Sequence, residues 1–382
     1  MATPDLTLDS PATSAQLSRH CSPGLARTTL HRSHLTEFHL TLTALPNESA
    51  HSMTRRLQAE LDAAQAVVVR HEVFGSLAWH QQPSWDWPVT WVEGADCSGK
   101  PIAGMHVLAV RGADVDSIVV NGQSVGRVFS DGYARHALLG NVHSDPQATL
   151  DVQGRQVFER LESALQTAGF AMTDVPRTWL FLDDILAWYG TLNRVRREFF
   201  EQRGLFDHLV PASTGVGVRN PAQAAMIAGA WASQPLSNEF FLGEVLSPMQ
   251  CPAPAYGSCF SRAVEMVDPQ LRRVLVSGTA SIEPKGASVC GGDMDGQIDL
   301  TMQVVRAILV SRGMDYHDVT RATAYIRHPS DAPLFQEWCQ RLGLQDWPLV
   351  VTQAVVCRDE LWFEIELDAI APTHHHATDW DL

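Results

Sequence analysis

The sequence predicts an α/β (α+β) protein built from two like-folded halves, each a mixed sheet packed by helices. Three features carry this expectation: strand-like runs alternate with segments of helical period, one block of the chain is echoed further on, and a stretch near the C-terminus alternates strictly. At 382 residues, 45% apolar and 19% charged, the chain can bury a core large enough for two domains.

Residues 1–24, rich in Ser, Thr, Pro and Ala, read as a flexible N-terminal arm. The first half is expected over 25–217. It opens with strand-like runs at 37–42, 66–74, 105–110 and 117–120, interrupted by Pro83, Trp85, Trp87 and Pro88, which suit a packing loop or edge. A helix is expected over 153–168, with Val157, Leu161 and Leu165 in phase, then a strand after Gly169, then a helix over 184–203 carrying Ile185, Leu192, Val195 and Phe199 on one stripe. The second half, 255–371, repeats that order. A helix over 295–312 has Met302, Val305, Ile308 and Leu309 in phase, a strand follows Gly313, and a helix covers 332–342. The echo lies between GFAMTDVPRTWLFL from Gly169 and GMDYHDVTRATAYI from Gly313, where Gly169/Gly313, Asp174/Asp318, Val175/Val319 and Arg177/Arg321 recur at one constant spacing. Residues 218–254 read as a linker region and 372–382 as a flexible tail. In that tail His374, His375 and His376 lack partners at ligand spacing, so no metal site is expected.

The net charge of -15 argues against nucleic acid or an anionic membrane surface as partner. Lysine occurs only at Lys100 and Lys285, so an anion site would be built on arginine forks, which suit carboxylates. Seven cysteines without CxxC spacing, and no opening apolar run, point to reduced thiols and a cytoplasmic protein.

From Leu361 onward the chain alternates, with Leu361, Phe363, Ile365, Leu367 and Ala369 on one face and Trp362, Glu364, Glu366 and Asp368 on the other. The plain reading of Glu366 and Asp368 is the solvated face of an antiparallel sheet. Glu364 is expected to lie across a short turn from a strand over 350–357, under an apolar lid that would raise its pKa and make it an acid near neutral pH. Tyr189, Asn193, Arg194 and Arg197 edge the 184–203 helix, and Arg177 sits on the strand before it. Pro211 to Gly217, with Ser213, Thr214 and Gly215, is a turn able to aim backbone N–H groups at an anion, or simply a loop. Tyr256 to Ala263 is an irregular turn that could hold Arg262 against a pocket. Cys357 reads as a pocket wall rather than a nucleophile, because Arg358 on a strand would point to the other face. No HExxH, GxSxG or GxGxxG framework is present.

With these residues in view, the chain resembles the chorismatase family, enzymes that release pyruvate from chorismate. Arg177-Thr178-Trp179-Leu180 running into Trp188-Tyr189 and Asn193 carries the resemblance, with Pro211–Gly217, Phe260–Ala263, and Cys357 ahead of Glu364. The second half also resembles the RidA/YjgF group through Ser277-Gly278-Thr279-Ala280, Gly292-Asp293, Gln297 and Glu364-Ile365-Glu366. The resemblance implies two RidA/YjgF-like (chorismate-mutase-like) halves with one active pocket between them. It implies Glu364 as the acid that protonates the enolpyruvyl methylene carbon and Cys357 as the residue steering the product. Arg177, Tyr189, Asn193, Arg194, Ser213, Thr214, Gly215, Arg262 and Ala263 would surround the substrate. Cys357 favours 3-hydroxybenzoate, and Ala263 beside it points to a mixed branch that also forms 4-hydroxybenzoate for pigment or quinone synthesis. No cofactor is implied, and a fused pair of halves fits a monomer. Four readings compete with it: a chorismate hydrolase giving a ring diol, a RidA-type enamine or imine deaminase, a noncatalytic aromatic-acid sensor, and a scaffold with an exposed acidic strand. The deaminase reading lacks the arginine expected on the strand before Glu364.

Overall fold

A computed structural model describes residues 15–80, 85–94, 97 and 99–373. The expected arm up to residue 14, Pro83 and the tail histidines His374–His376 lie outside these residues. Three units follow one another, each closing a six-stranded sheet. The first comprises β1 (Gln16–Ser22), β2 (Leu25–His31), β3 (Thr36–Thr43), α1 (Ala50–Ala64), β4 (Val67–Gly75), β5 (Thr90–Val92) and β6 (Ile102–Arg111). The second comprises β7 (Asp116–Val120), β8 (Gln123–Ser130), β9 (Ala134–His143), α2 (Leu150–Thr167), β10 (Arg177–Leu182), α3 (Ile185–Gln202), β11 (Ala212–Gly217) and β12 (Met226–Pro235). The third comprises β13 (Phe241–Val245), β14 (Ala263–Val267), β15 (Leu271–Ala280), α4 (Met294–Val310), β16 (Val319–Ile326), α5 (Ala332–Arg341), β17 (Leu349–Gln353) and β18 (Phe363–Pro372).

Strand order is the same in all three sheets: β1-β2-β3-β6-β4-β5, β7-β8-β9-β12-β10-β11 and β13-β14-β15-β18-β16-β17. Each sheet is antiparallel except for one parallel pair, β4–β5, β10–β11 and β16–β17. The two halves foreseen from the echo are the second and third units, and the first unit is a further copy ahead of them. The range 25–217 therefore spans one whole unit and most of the next. Residues 218–254, expected as linker, hold β12, paired on both sides within its sheet, and the edge strand β13. Residues 16–22 of the expected arm form β1, paired with β2.

Each sheet buries one face against its own helices and the other against the other two sheets. The apolar stripes of α2 and α3 pack on the second sheet, those of α4 and α5 on the third, and α1 on the first. The inner faces meet in a shared core where Phe74, Phe181 and Tyr325, one from each unit, stand edge to face. Among the described residues no helix is long and apolar enough to cross a membrane.

This arrangement decides what β18 faces. Phe363, Ile365, Leu367 and Ala369 point to α4 and α5, as the alternation requires. Glu364, Glu366 and Asp368 share the opposite face, and that face is buried at 5%, 0% and 3% exposure. The expected solvated face is instead the junction of three sheets. Nor does β18 pair with the 350–357 segment, because β16 stands between β18 and β17, which ends at Gln353.

Candidate active site

The second and third units are stitched along the edge strand β11. The Ser213 N–H donates to Ser277 Oγ at 2.8 Å, and that hydroxyl donates to the Ser261 carbonyl at 2.5 Å. The Gly278 N–H donates to Thr214 Oγ1 at 3.0 Å, and Gly217 and Val355 exchange both backbone bonds at 2.7 and 3.0 Å. β15 carries an irregularity between Val276 and Thr279, which turns Ser277 and Gly278 out of the regular ladder toward β11. Above this seam lies a pocket of about 630 Å³, its open mouth included. Tyr189, Leu192 and Arg196 of α3 and Ser213 and Gly215 of β11 form one wall; Arg262, Gly278, Cys357, Arg358 and Glu364 form the other.

Glu364 opens β18, opposite Ala280 on β15 and Tyr325 on β16. Its carboxyl lies against the bare backbone of Gly278, where a Cβ would come within 2.0 Å of Oε1. Burial pushes its pKa up to about 8, the Glu366 charge adds to the rise, and Arg177 offsets part of it. At neutral pH the group is therefore mostly a carboxylic acid facing a cavity.

Two residues on, Glu366 is the opposite case. Its Oε2 accepts from Arg177 and, at 2.5 Å, from Thr214 Oγ1; its Oε1 accepts from Arg321 at 2.5 Å and from the Tyr325 hydroxyl at 3.1 Å. Burial alone would raise this carboxyl, but Arg321 and Arg177 outweigh it and hold it well below the usual range.

Three guanidinium groups reach the pocket. Arg196 lies four positions before Phe200 in the buried part of α3, its NH2 donating to Asn193 Oδ1 at 2.9 Å. Arg262 is anchored by Nε to the Cys251 carbonyl at 3.1 Å, and Arg358 by NH1 to the Gly286 carbonyl and Ser288 Oγ at 2.9 and 3.0 Å. Cys357 sits on the connection between β17 and β18, where burial pushes its thiol up to about 12. It is a neutral wall at physiological pH. Burial likewise raises the Tyr189 hydroxyl, which lies beside it. One acid and three cations around a pocket with apolar walls suit a small organic dianion that is to be protonated. Among the described residues no three His, Cys, Asp or Glu side chains are placed to hold a metal ion.

The family model described as Endoribonuclease L-PSP matches residues 139–227, within the second unit. A chorismatase crystal structure superposes with a TM-score of 0.65 at 16% identity, covering 87% of this chain and 98% of that one. The chain thus has the fold of that chorismatase, and its second unit matches the L-PSP family model. A protein named 3-hydroxybenzoate synthase from Streptomyces hygroscopicus is 27% identical over 240 residues, 55% of this chain and 66%, just under two thirds, of that protein.

In this chorismatase fold, Glu364, Cys357, Tyr189, Ser213, Gly215 and Arg262 all line the one pocket. Five other expected residues do not. Arg177 is fully buried behind the wall because Glu366 holds it, and Thr214 belongs to the same bonded group. Arg194 points to solvent and pairs with Glu198 at 2.8 Å, since its place on α3 is opposite the buried stripe. Ala263 packs in the helix-covered core of the third unit. Asn193 supports Arg196 rather than lining the cavity. Sequence reasoning missed Arg196 and Arg358. Arg196 was findable, because Tyr189, Leu192, Asn193 and Arg196 follow helical spacing along one face. Arg358 was not: it faces the pocket because the chain has left the strand by then, and its alternation no longer applies.

Proposed function

We propose that the protein converts chorismate to 3-hydroxybenzoate and pyruvate, with some 4-hydroxybenzoate formed. The observation that carries this reading is the buried Glu364, its pKa raised by that burial, facing a pocket with Arg196, Arg262 and Arg358. Chorismate brings two carboxylates, which guanidinium forks can hold out of water. Glu364 gives its proton to the enolpyruvyl methylene carbon. The bond from the ring carbon to the ether oxygen then breaks, its electron pair becoming part of the pyruvate carbonyl. The neighbouring ring hydroxyl oxygen bonds to the vacated carbon and returns its proton to Glu364. Its bond to its original ring carbon then breaks, and the proton lost from the carbon that now bears oxygen aromatises the ring and balances the one the oxygen takes up as a phenol. No water is consumed and no oxidant is needed. Cys357 serves by filling space that water would otherwise occupy. The similarity to a 3-hydroxybenzoate synthase supports the product assignment.

The test is chorismate with the purified protein, following pyruvate by a coupled dehydrogenase and aromatic acids by chromatography. Pyruvate with matching hydroxybenzoate is expected. Glu364→Gln should lose about 10²–10⁴-fold, or roughly 3–5 kcal/mol of transition-state stabilisation. Cys357→Ala should divert product to the ring diol. Wild-type turnover by Glu364→Gln would remove Glu364 as the acid.

A further inference from the structure

The pocket accounts for Glu364 but not for Glu366, which no substrate can reach. Both side chains leave β18 on the same face, so two carboxyls stand side by side at a buried junction. Arg177 acts on both carboxyls. Arg177 on β10 and Arg321 on β16 both donate to Glu366, and Arg321 also donates to Glu72 on β4 at 2.9 Å. Thr214 on β11 and Tyr325 on β16 occupy the remaining acceptor positions of Glu366. Its two oxygens thus have four donors. Glu364 has no hydrogen-bond donor among the described residues.

We propose that Glu366 is the positioning residue that keeps Glu364 a proton donor, by taking Arg177 and Arg321 for itself and fixing a negative charge beside it. This rests on Glu364 being the acid, and deepens that reading. The charged and titratable groups around the pair are consistent with it. Arg177 faces them from β10, Arg321 and Tyr325 from β16, Arg70 and Glu72 from β4, His106 from β6, and Asp368 from β18 itself. On the pocket side stand Tyr189 and Arg196 of α3, Arg262, Cys357 and Arg358. Arg70 and Arg321 are shared with Glu72 and Asp368, so Arg177 is the cation freed for Glu364 once Glu366 is neutral.

The experiment is an infrared pH titration of the protonated carboxyl band that disappears in Glu364→Gln, read in the full-length protein without substrate. In Glu366→Gln the midpoint should fall by about 1–3 pH units, because a nearby cation then acts on Glu364 unopposed. The alkaline limb of the pyruvate-release profile should fall with it. Glu366→Asp, which keeps the charge, should restore the midpoint to within about one unit. Should Glu366→Gln not fold, the paired change Arg177→Gln with Glu366→Gln removes a charge of each sign. Its midpoint should still fall, since the Glu366 repulsion exceeds the Arg177 attraction. An unmoved midpoint in either variant overturns the proposal. A midpoint shift in Glu366→Gln together with a parent protein that releases no pyruvate overturns the chorismate reading alone.

Discussion

A carboxyl kept neutral by burial works against the stability of the protein that holds it. The Glu364 pKa rises on folding from an ordinary value of 4.5 to about 8, so between those limits folding must take up a proton. Below pH 4.5 both states are protonated and nothing is lost. As pH rises toward 8 the unfolded chain ionises freely, and at pH 7 the penalty reaches about 3 kcal/mol. Glu364→Gln carries no such penalty. It should be inactive yet more stable at pH 7 by about 2–3 kcal/mol, with the advantage shrinking as pH falls toward 4.5. Urea unfolding at several pH values measures this, and a gain independent of pH would mean that Glu364 is ionised in the native protein.

At the scale of the element, the site depends on one interruption of a strand. The irregularity in β15 places Gly278 with its N–H on Thr214 and its bare α-carbon under the Glu364 carboxyl. A methyl group there would meet Oε1 at 2.0 Å and Thr214 Cγ2 at 3.2 Å. The first contact is with the end of a side chain that can swing away, so Gly278→Ala should fold. It should also displace the acid, and a misplacement of about 1 Å costs on the order of 10²-fold in rate. Activity reduced at least tenfold with an unchanged melting transition is the expected pair of results, and full activity would show that Glu364 does not need this place. Sequence reading reached some of these elements and not others for physical reasons. Alternation was legible because period two is intrinsic to a strand, and it sorted Phe363 to Ala369 to their correct faces, but not Leu361 and Trp362, which precede β18 and take the opposite sides. What that face meets was not legible, because an inward junction and a solvated surface both accept alternating carboxylates. The helices α2, α3 and α4 announced themselves by apolar stripes. The first unit hid its kinship at the turn that identifies the other two. Gly169 and Gly313 end their helices at φ +78° and +70°, but Gln65 takes that left-handed position at φ +50°, and β4 begins two residues later without the Asp-Val-x-Arg turn.

At the scale of the whole molecule, the three units converge on charges that no local pattern could pair. Arg70, Arg177 and Arg321 come from corresponding strands β4, β10 and β16, and all three lie over the ring of Trp179, at 3.4, 4.9 and 5.6 Å from its centroid. Elsewhere along the junction, three corresponding hairpins meet. Arg32, between β2 and β3, donates to Asp131 of the β8–β9 turn and to Asp268 of the β14–β15 turn, each at 2.6 Å, and to Glu37 at 3.3 Å. Arg32 therefore touches all three units there, at 1% side-chain exposure. Burial works against its charge, but Asp131, Glu37 and Asp268 outweigh that and push its pKa up. In return His136 and Arg32 overcome the burial of Asp131 and hold its carboxyl below the usual range, while Arg273, His39 and Arg32 do the same for Glu37. Removing one partner of a buried ion pair leaves the others charged without compensation and costs about 3–5 kcal/mol. Arg32→Met should therefore destabilise the protein by about that amount in urea unfolding at pH 7. Because the Asp131 and Glu37 pKa values are depressed, their stabilisation is present above about pH 4 and lost as pH falls through the folded values. The gap between Arg32→Met and the parent should accordingly narrow below pH 4. A gap that stays constant into acid would show that Arg32 holds the three hairpins by packing of its aliphatic stem rather than by its charge.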